Sequence, residues 1–178
     1  MTLRAAATAA DARAIAVLHA DSWQRTYRGM MSDAYLDGAC LDDRLRVWRE
    51  RFAAPPANQV VVLADGNDGL DGFVCAYIDD DPRWGSLIDN LHVRHTARRR
   101  GLGRLLMREA AARCEAVLPG GALYLYVLQA NLNAQRFYDR LGGVNVETLE
   151  MEGHDGGVAR SYRYAWADAS ALLRQRTL

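Results

Sequence analysis

Residues 97–111 read "ARRRGLGRLLMREAA", a bend of three arginines and two glycines that runs into an amphipathic helix. A helix start presents unpaired backbone N–H groups and the positive end of the peptide dipole, and glycine lets a ligand's oxygens come up to that backbone. The stretch therefore reads as a phosphate cradle. A dinucleotide fingerprint asks for a third glycine at position 106, where Leu106 stands, and a P-loop asks for a lysine, which the chain lacks altogether. Arginines on a solvated helix start are the plain alternative. A polynucleotide patch is another, since Arg94, Arg98, Arg99, Arg100, Arg104 and Arg108 fall within fifteen residues with no acid among them. No nucleic-acid motif or aromatic platform accompanies them, so no nucleic-acid partner is expected.

Working outward, the bend joins two kinds of periodicity. Before it, "QVVVLAD", "GFVCAYIDD" and "GSLIDNLHV" are short, β-branched and aromatic runs separated by glycine-rich turns, which predicts a three-stranded antiparallel meander. After it, the helix runs to about Leu118 and stops at "PGG". "ALYLYVL" then reads as a central strand, "NLNAQRFYDRLGG" as a short helix with a glycine stop, and "VNVETLEME" and "VARSYRYAWA" as two more strands. The tail from Asp168 can add a last helical turn. Upstream, "TLRAA" can form a first strand and "ADARAIAVLHADSWQRTY" an amphipathic helix; "MSDAYLDGACLDDRLRVWRERF" predicts a second helix, capped at Ser32 or Asp33 and weakened or split at Gly38. With no linker or repeat, residues 1–178 are expected to form one mixed α/β domain.

Composition narrows the partners. The 22 basic residues, all arginine, balance 22 acidic ones, so no global field draws the chain to nucleic acid or an anionic membrane. The start carries charge early, and no stretch approaches a membrane span, so a cytoplasmic protein with no membrane partner is expected. Cys40, Cys75 and Cys114 are odd in number and widely spaced, so neither a disulfide framework nor a metal site is expected; they read as small apolar packing residues.

The order of "LHVRHTARRRGLGRLLMREA" and, some thirty residues on, "NLNAQRFYDRLGG" resembles the GCN5-related N-acetyltransferase (GNAT) family. Arg98, Gly101 and Gly103 match its Q/R-x-x-G-x-G/A motif, Leu91 and Val93 its preceding strand end, and Asn131, Ala134 and Tyr138 its later motif. Two departures stand out: His95 where proline is frequent, and Gly143 where an aromatic usually closes the "LGF" turn. The resemblance implies a central mixed, largely antiparallel sheet of six or seven strands flanked by about four helices. It also implies acetyl-CoA as co-substrate, no metal, and transfer to a small-molecule or peptide amine in a ternary complex. A catalytically silent acyl-CoA-binding module of the same fold is the alternative.

By the same resemblance, residues 98–104 (Arg98, Arg99, Arg100, Gly101, Leu102, Gly103 and Arg104) hold the CoA diphosphate, chiefly through main-chain amides. Leu91, His92 and Val93 offer main-chain pairing to the pantetheine arm, with Asn131 beside it. Tyr138 protonates the departing thiolate. Asp89 is the first candidate for the base that deprotonates the amine, and His92 the second; strand alternation sends these two to opposite faces unless a bulge intervenes. His19, His95 and His154 are expected at the surface. Trp23, Tyr27, Trp84 and the loop "EGHDGG" are candidate acceptor-pocket walls, with core packing equally open for each aromatic. An exposed edge strand near the C-terminus permits a homodimer.

Overall fold

The computed structural model describes residues 2–174. Seven strands form one sheet in the order β1-β2-β3-β4-β5-β7-β6. These are β1 (Thr2–Ala5), β2 (Gln59–Gly66), β3 (Gly69–Asp81), β4 (Gly85–Val93), β5 (Leu123–Leu128), β6 (Val144–Glu152) and β7 (Val158–Trp166). Every neighbouring pair is antiparallel except β4 with β5. The meander of β2, β3 and β4 is therefore as expected.

The continuous apolar run of β2 follows from burial on both faces. Val61 and Leu63 pack with Phe73 and Cys75 under α1 (Ala9–Thr26) and α2 (Cys40–Ala53). Val62 and Ala64 pack with Val74, Ala76 and Leu106 on the side of α3 (Leu102–Val117). Period-two alternation thus divides one strand between two cores. Two shorter helices, α4 (Leu132–Arg140) and α5 (Ser170–Arg174), complete the fold, α5 being the last helical turn that the tail from Asp168 allowed. The tail beyond Arg174 lies outside the described residues.

Local signals fix the helix starts. Thr8 caps α1 through a reciprocal pair: its side chain accepts from the Asp11 N–H, and Asp11 accepts from the Thr8 N–H. The weak point at Gly38 becomes a π-helical turn, Tyr35–Ala39, that runs directly into α2. At the other edge, the mostly exposed β6 carries Glu147, Glu150 and Glu152, charges that suit an edge strand. β7 is inserted between β5 and β6, an order the sequence did not predict; its Ser161, Tyr164 and Trp166 are buried.

Two irregularities shape the site. The pairing of β4 with β5 extends only over Ser86 with Leu123 and Leu87 with Tyr124, after which the strands diverge. In β4 the register slips so that Cys75 faces Asn90 while Ala76 faces Ile88, leaving Asp89 as an extra, bulged residue.

Candidate active site

The divergence of β4 from β5 opens a cavity of about 500 Å³. Leu91, His92 and Val93 line one bank and Tyr126 and Val127 the other, with α4 supplying Asn131, Ala134 and Tyr138. Past Leu87, the β4 backbone groups that face β5 have no strand partner, so the cavity runs along an open ladder inside the sheet. Asn131, Ala134 and Tyr138, spaced three and four apart, share one helical face, and Asn131 also caps α4 by accepting from the Ala134 N–H at 3.2 Å.

The glycine bend closes one end of this cavity. Arg99 and Gly101 both adopt left-handed backbone, with φ of 61° and 80°. Successive residues of alternating hand turn their N–H groups into a shared concavity, and the first-turn amides of α3 lie beside it. Gly103 is needed for space: a Cβ there would come 3.3 Å from the Phe137 ring. The arginines divide. Arg98, Arg99 and Arg104 line the main cavity, whereas Arg100 turns into a second hollow of about 280 Å³ with Asp68, Asp71 and Arg94. Arg98 is also a structural tie: its Nε donates to the Val93 carbonyl at 3.2 Å, and its terminal nitrogen reaches Thr26 Oγ1 on α1 at 3.1 Å. The bend thus fits a diphosphate through backbone donors, with side chains of mixed purpose around them.

Tyr138 is 9% exposed, and among the described residues nothing hydrogen-bonds to its hydroxyl. Burial, with Tyr27 nearby, pushes its phenol above the usual range, so it carries its proton at neutral pH. Half-buried Tyr27 lines the same cavity.

The bulge changes the outlook for the two candidate bases. Because Asp89 is an extra residue, Asp89 and His92 face the same side of the sheet, toward α1 and α2. His92 lines the cavity, stacks on Phe73 and His19, and places Nδ1 2.9 Å from Ser22 Oγ. Burial and the Arg98 and Arg44 guanidiniums lower its pKa to about 3, so the ring is neutral at neutral pH. Asp89 lies outside the cavity lining and pairs with Arg51 at 2.5 Å and with Asn90. Cys75, buried behind it, has its thiol pushed up to about 12 by burial and by Asp89, so it holds no thiolate for a covalent route.

Two expectations need correcting. His19 is 1% exposed rather than at the surface, accepting from Trp48 Nε1 at 3.0 Å. Its position gave a usable signal: His19 falls four residues after Ile15 and four before Trp23, on the buried stripe of α1. Trp84 is not a wall of the cavity, because the Arg163 guanidinium stacks on it at 4.6 Å and Arg83 at 4.5 Å, at the hairpin end of β4. Trp23 takes the core-packing alternative that the sequence also allowed: it is 5% exposed and packs with Ala20, Leu36 and Cys40, next to Ser22 of the cavity lining. His95 and His154 are exposed, as expected.

The sequence profile described as "Acetyltransferase (GNAT) family" matches residues 18–143. The chain belongs to the GNAT acetyltransferase family. No curated protein matches it. Among solved structures, a GNAT-family protein from Desulfovibrio desulfuricans superposes with a TM-score of 0.72 at 18% identity, covering 94% of this chain and 98% of that one. PaiA N-acetyltransferase from Thermoplasma acidophilum, solved in complex with coenzyme A, gives 0.66 at 16%, covering 92% and 100%. The ribosomal-protein-alanine N-acetyltransferase of Brucella melitensis gives 0.67 at 19%, covering 93% and 99%. At these identities the likeness is one of fold.

One departure from the GNAT pattern has a structural cause. A Cβ on Gly143 would come 2.6 Å from the Trp166 ring, whose Nε1 donates to the Leu141 carbonyl at 2.8 Å. Trp166 of β7 fills the space beside Gly143, so no larger side chain fits there. Among the described residues no cluster of three His, Cys, Asp or Glu side chains is placed to hold a metal ion, and no helix is long and apolar enough to cross a membrane.

Proposed function

We propose that this GNAT protein transfers an acetyl group from acetyl-CoA to a primary amine by direct attack in a ternary complex. The observation that carries the reading is the open ladder between β4 and β5, which joins the left-handed bend at Arg99–Gly101 to the unpartnered phenol of Tyr138.

Acetyl-CoA supplies an activated thioester. The chain's own contributions divide along the cavity. Backbone donors of residues 99–104 take the diphosphate, where neither lysine nor metal is required. Main-chain groups of Leu91 and Val93 pair with an extended, amide-bearing arm, as they would with a further strand. Tyr138 holds a proton at its hydroxyl and donates it toward a departing thiolate. The amine reaches the thioester from the α1–α2 side, where the bulge gathers Asp89, Asn90 and His92. Neutral His92 offers a lone pair that can pass a proton on to Ser22 or water, though a ring with so low a pKa cannot retain it. The acceptor is a small-molecule or peptide amine.

A second reading, a silent acyl-CoA-binding module, is favoured by one observation: Asp89 is committed to Arg51. Thiol release with acetyl-CoA and a panel of primary amines separates the two. Turnover on any amine supports the enzyme. Calorimetric CoA binding without turnover on any of them supports the module.

A further inference from the structure

Behind His92, on the α1–α2 side of the sheet, three N–H groups are sealed from solvent and, among the described residues, bond to nothing: Trp23 Nε1, Arg44 Nε and His19 Nε2. Their residues are 5%, 4% and 1% exposed. They are also neighbours. The Arg44 guanidinium carbon lies 4.3 Å from the Trp23 ring centre, and the His19 ring lies 4.7 Å from the same indole.

Each of the three is a donor. Trp48 donates to His19 Nδ1, so the neutral His19 ring carries its hydrogen on Nε2. Indole and guanidinium nitrogens only donate. Native interiors leave very few buried donors unmade, and such a group calls for a guest or a water. Here the guest must be all acceptor. Charge points the same way: the Asp43 carboxylate is shared by Arg44, Arg46 and the Tyr35 hydroxyl, so one negative charge faces two guanidiniums, while Arg51 is matched by Asp89.

The cluster is one ring's thickness from the cavity. His92, on the cavity wall, stacks on His19 at 4.3 Å, and Ser22, beside Trp23, lines the cavity too. On its outer side the exposed His154 ring covers Trp23 at 4.7 Å, on a loop pinned to Ser32 through Asp155.

We propose that Trp23, Arg44 and His19 receive a carboxylate of the acceptor, so that the substrate is a free amino acid or a similar small amino carboxylate. Its amine stands a few ångströms from that carboxylate, on the His92 side. This rests on the acetyl-transfer reading and names its substrate class.

The test compares matched pairs in a thiol-release assay: alanine against ethylamine, leucine against 3-methylbutylamine, phenylalanine against phenethylamine. At least one amino acid is expected to exceed its amine in kcat/KM by about 10-fold or more. Trp23→Phe, which keeps the ring and removes the N–H, narrows that ratio about 3- to 10-fold; Arg44→Gln narrows it about 10- to 100-fold, through KM. If amines match or exceed amino acids in every pair, or both variants lower the two substrates equally, the proposal is overturned.

Calorimetry of the same amino acids against the CoA-saturated protein separates this failure from that of the enzyme reading. Binding weakened by Trp23→Phe supports the carboxylate site even without turnover. No binding by any amino acid, or an ordered water found on the three donors in a complex whose carboxylate lies elsewhere, removes it.

Discussion

Protonating His19 must open the α1 core, and the cost can be worked out from its surroundings. The ring is enclosed by Trp23, Trp48, Phe73 and His92, and burial, reinforced by His92, Arg44 and Arg51, holds its pKa well below 6.5. In the unfolded chain the same group titrates near 6.5. Below that pH the unfolded state binds a proton that the folded state refuses, so stability falls as pH drops. Between pH about 7.5 and 5.5 the loss from this one group is about 1.4 kcal/mol. His19→Asn keeps an acceptor near Nδ1 for Trp48 but cannot titrate. Urea unfolding at both pH values should therefore show a steeper acid loss for the parent protein, by about 1.4 kcal/mol, whatever fixed cost the smaller side chain brings. Parallel losses in the two proteins would refute the reasoning, since they would mean that His19 accepts its proton without unfolding.

Other outcomes follow from the site and its supports. Tyr138→Phe should lower kcat about 100-fold or more while calorimetric CoA affinity and the melting temperature barely move, because the hydroxyl bonds to nothing among the described residues. Gly103→Val should abolish CoA binding by pressing on Phe137 and filling the cradle, whereas Gly101→Ala, with open space around its Cβ, should cost about 1–2 kcal/mol in unfolding through its left-handed backbone. Asp89→Asn should cost about 1–2 kcal/mol in urea unfolding by stranding Arg51, with kcat little changed if Asp89 acts only as a partner; a fall in kcat of about 100-fold or more in the folded variant would make Asp89 the base. Thr8→Ala should remove about 1 kcal/mol by unmaking the α1 cap, read from the urea midpoint.

The elements were legible because their signals are local. Periodicity marked the meander, proline and glycine marked the stops, and the bend at 98–103 announced a helix start with backbone to spare. What escaped were features set by a second strand or helix. The bulge at Asp89 exists only against Cys75 and is invisible in "GSLIDNLHV", yet it puts Asp89 and His92 on one face. The insertion of β7 between β5 and β6 depends on which strand buries its aromatics. Trp84 looked like a pocket wall because nothing nearby in sequence names Arg163 as its partner. Similarly, nothing near Gly143 in sequence shows that Trp166 leaves no room there for a larger side chain.

Only two residue pairs hold β4 to β5, so the sheet behaves as two panels hinged along a short seam. A guest that hydrogen-bonds to both banks stitches that seam from within. Amide exchange across Leu91–Val93 and Tyr126–Val127 should then slow together on loading, and the panels should melt as one unit where the empty protein can lose β6 and β7 first.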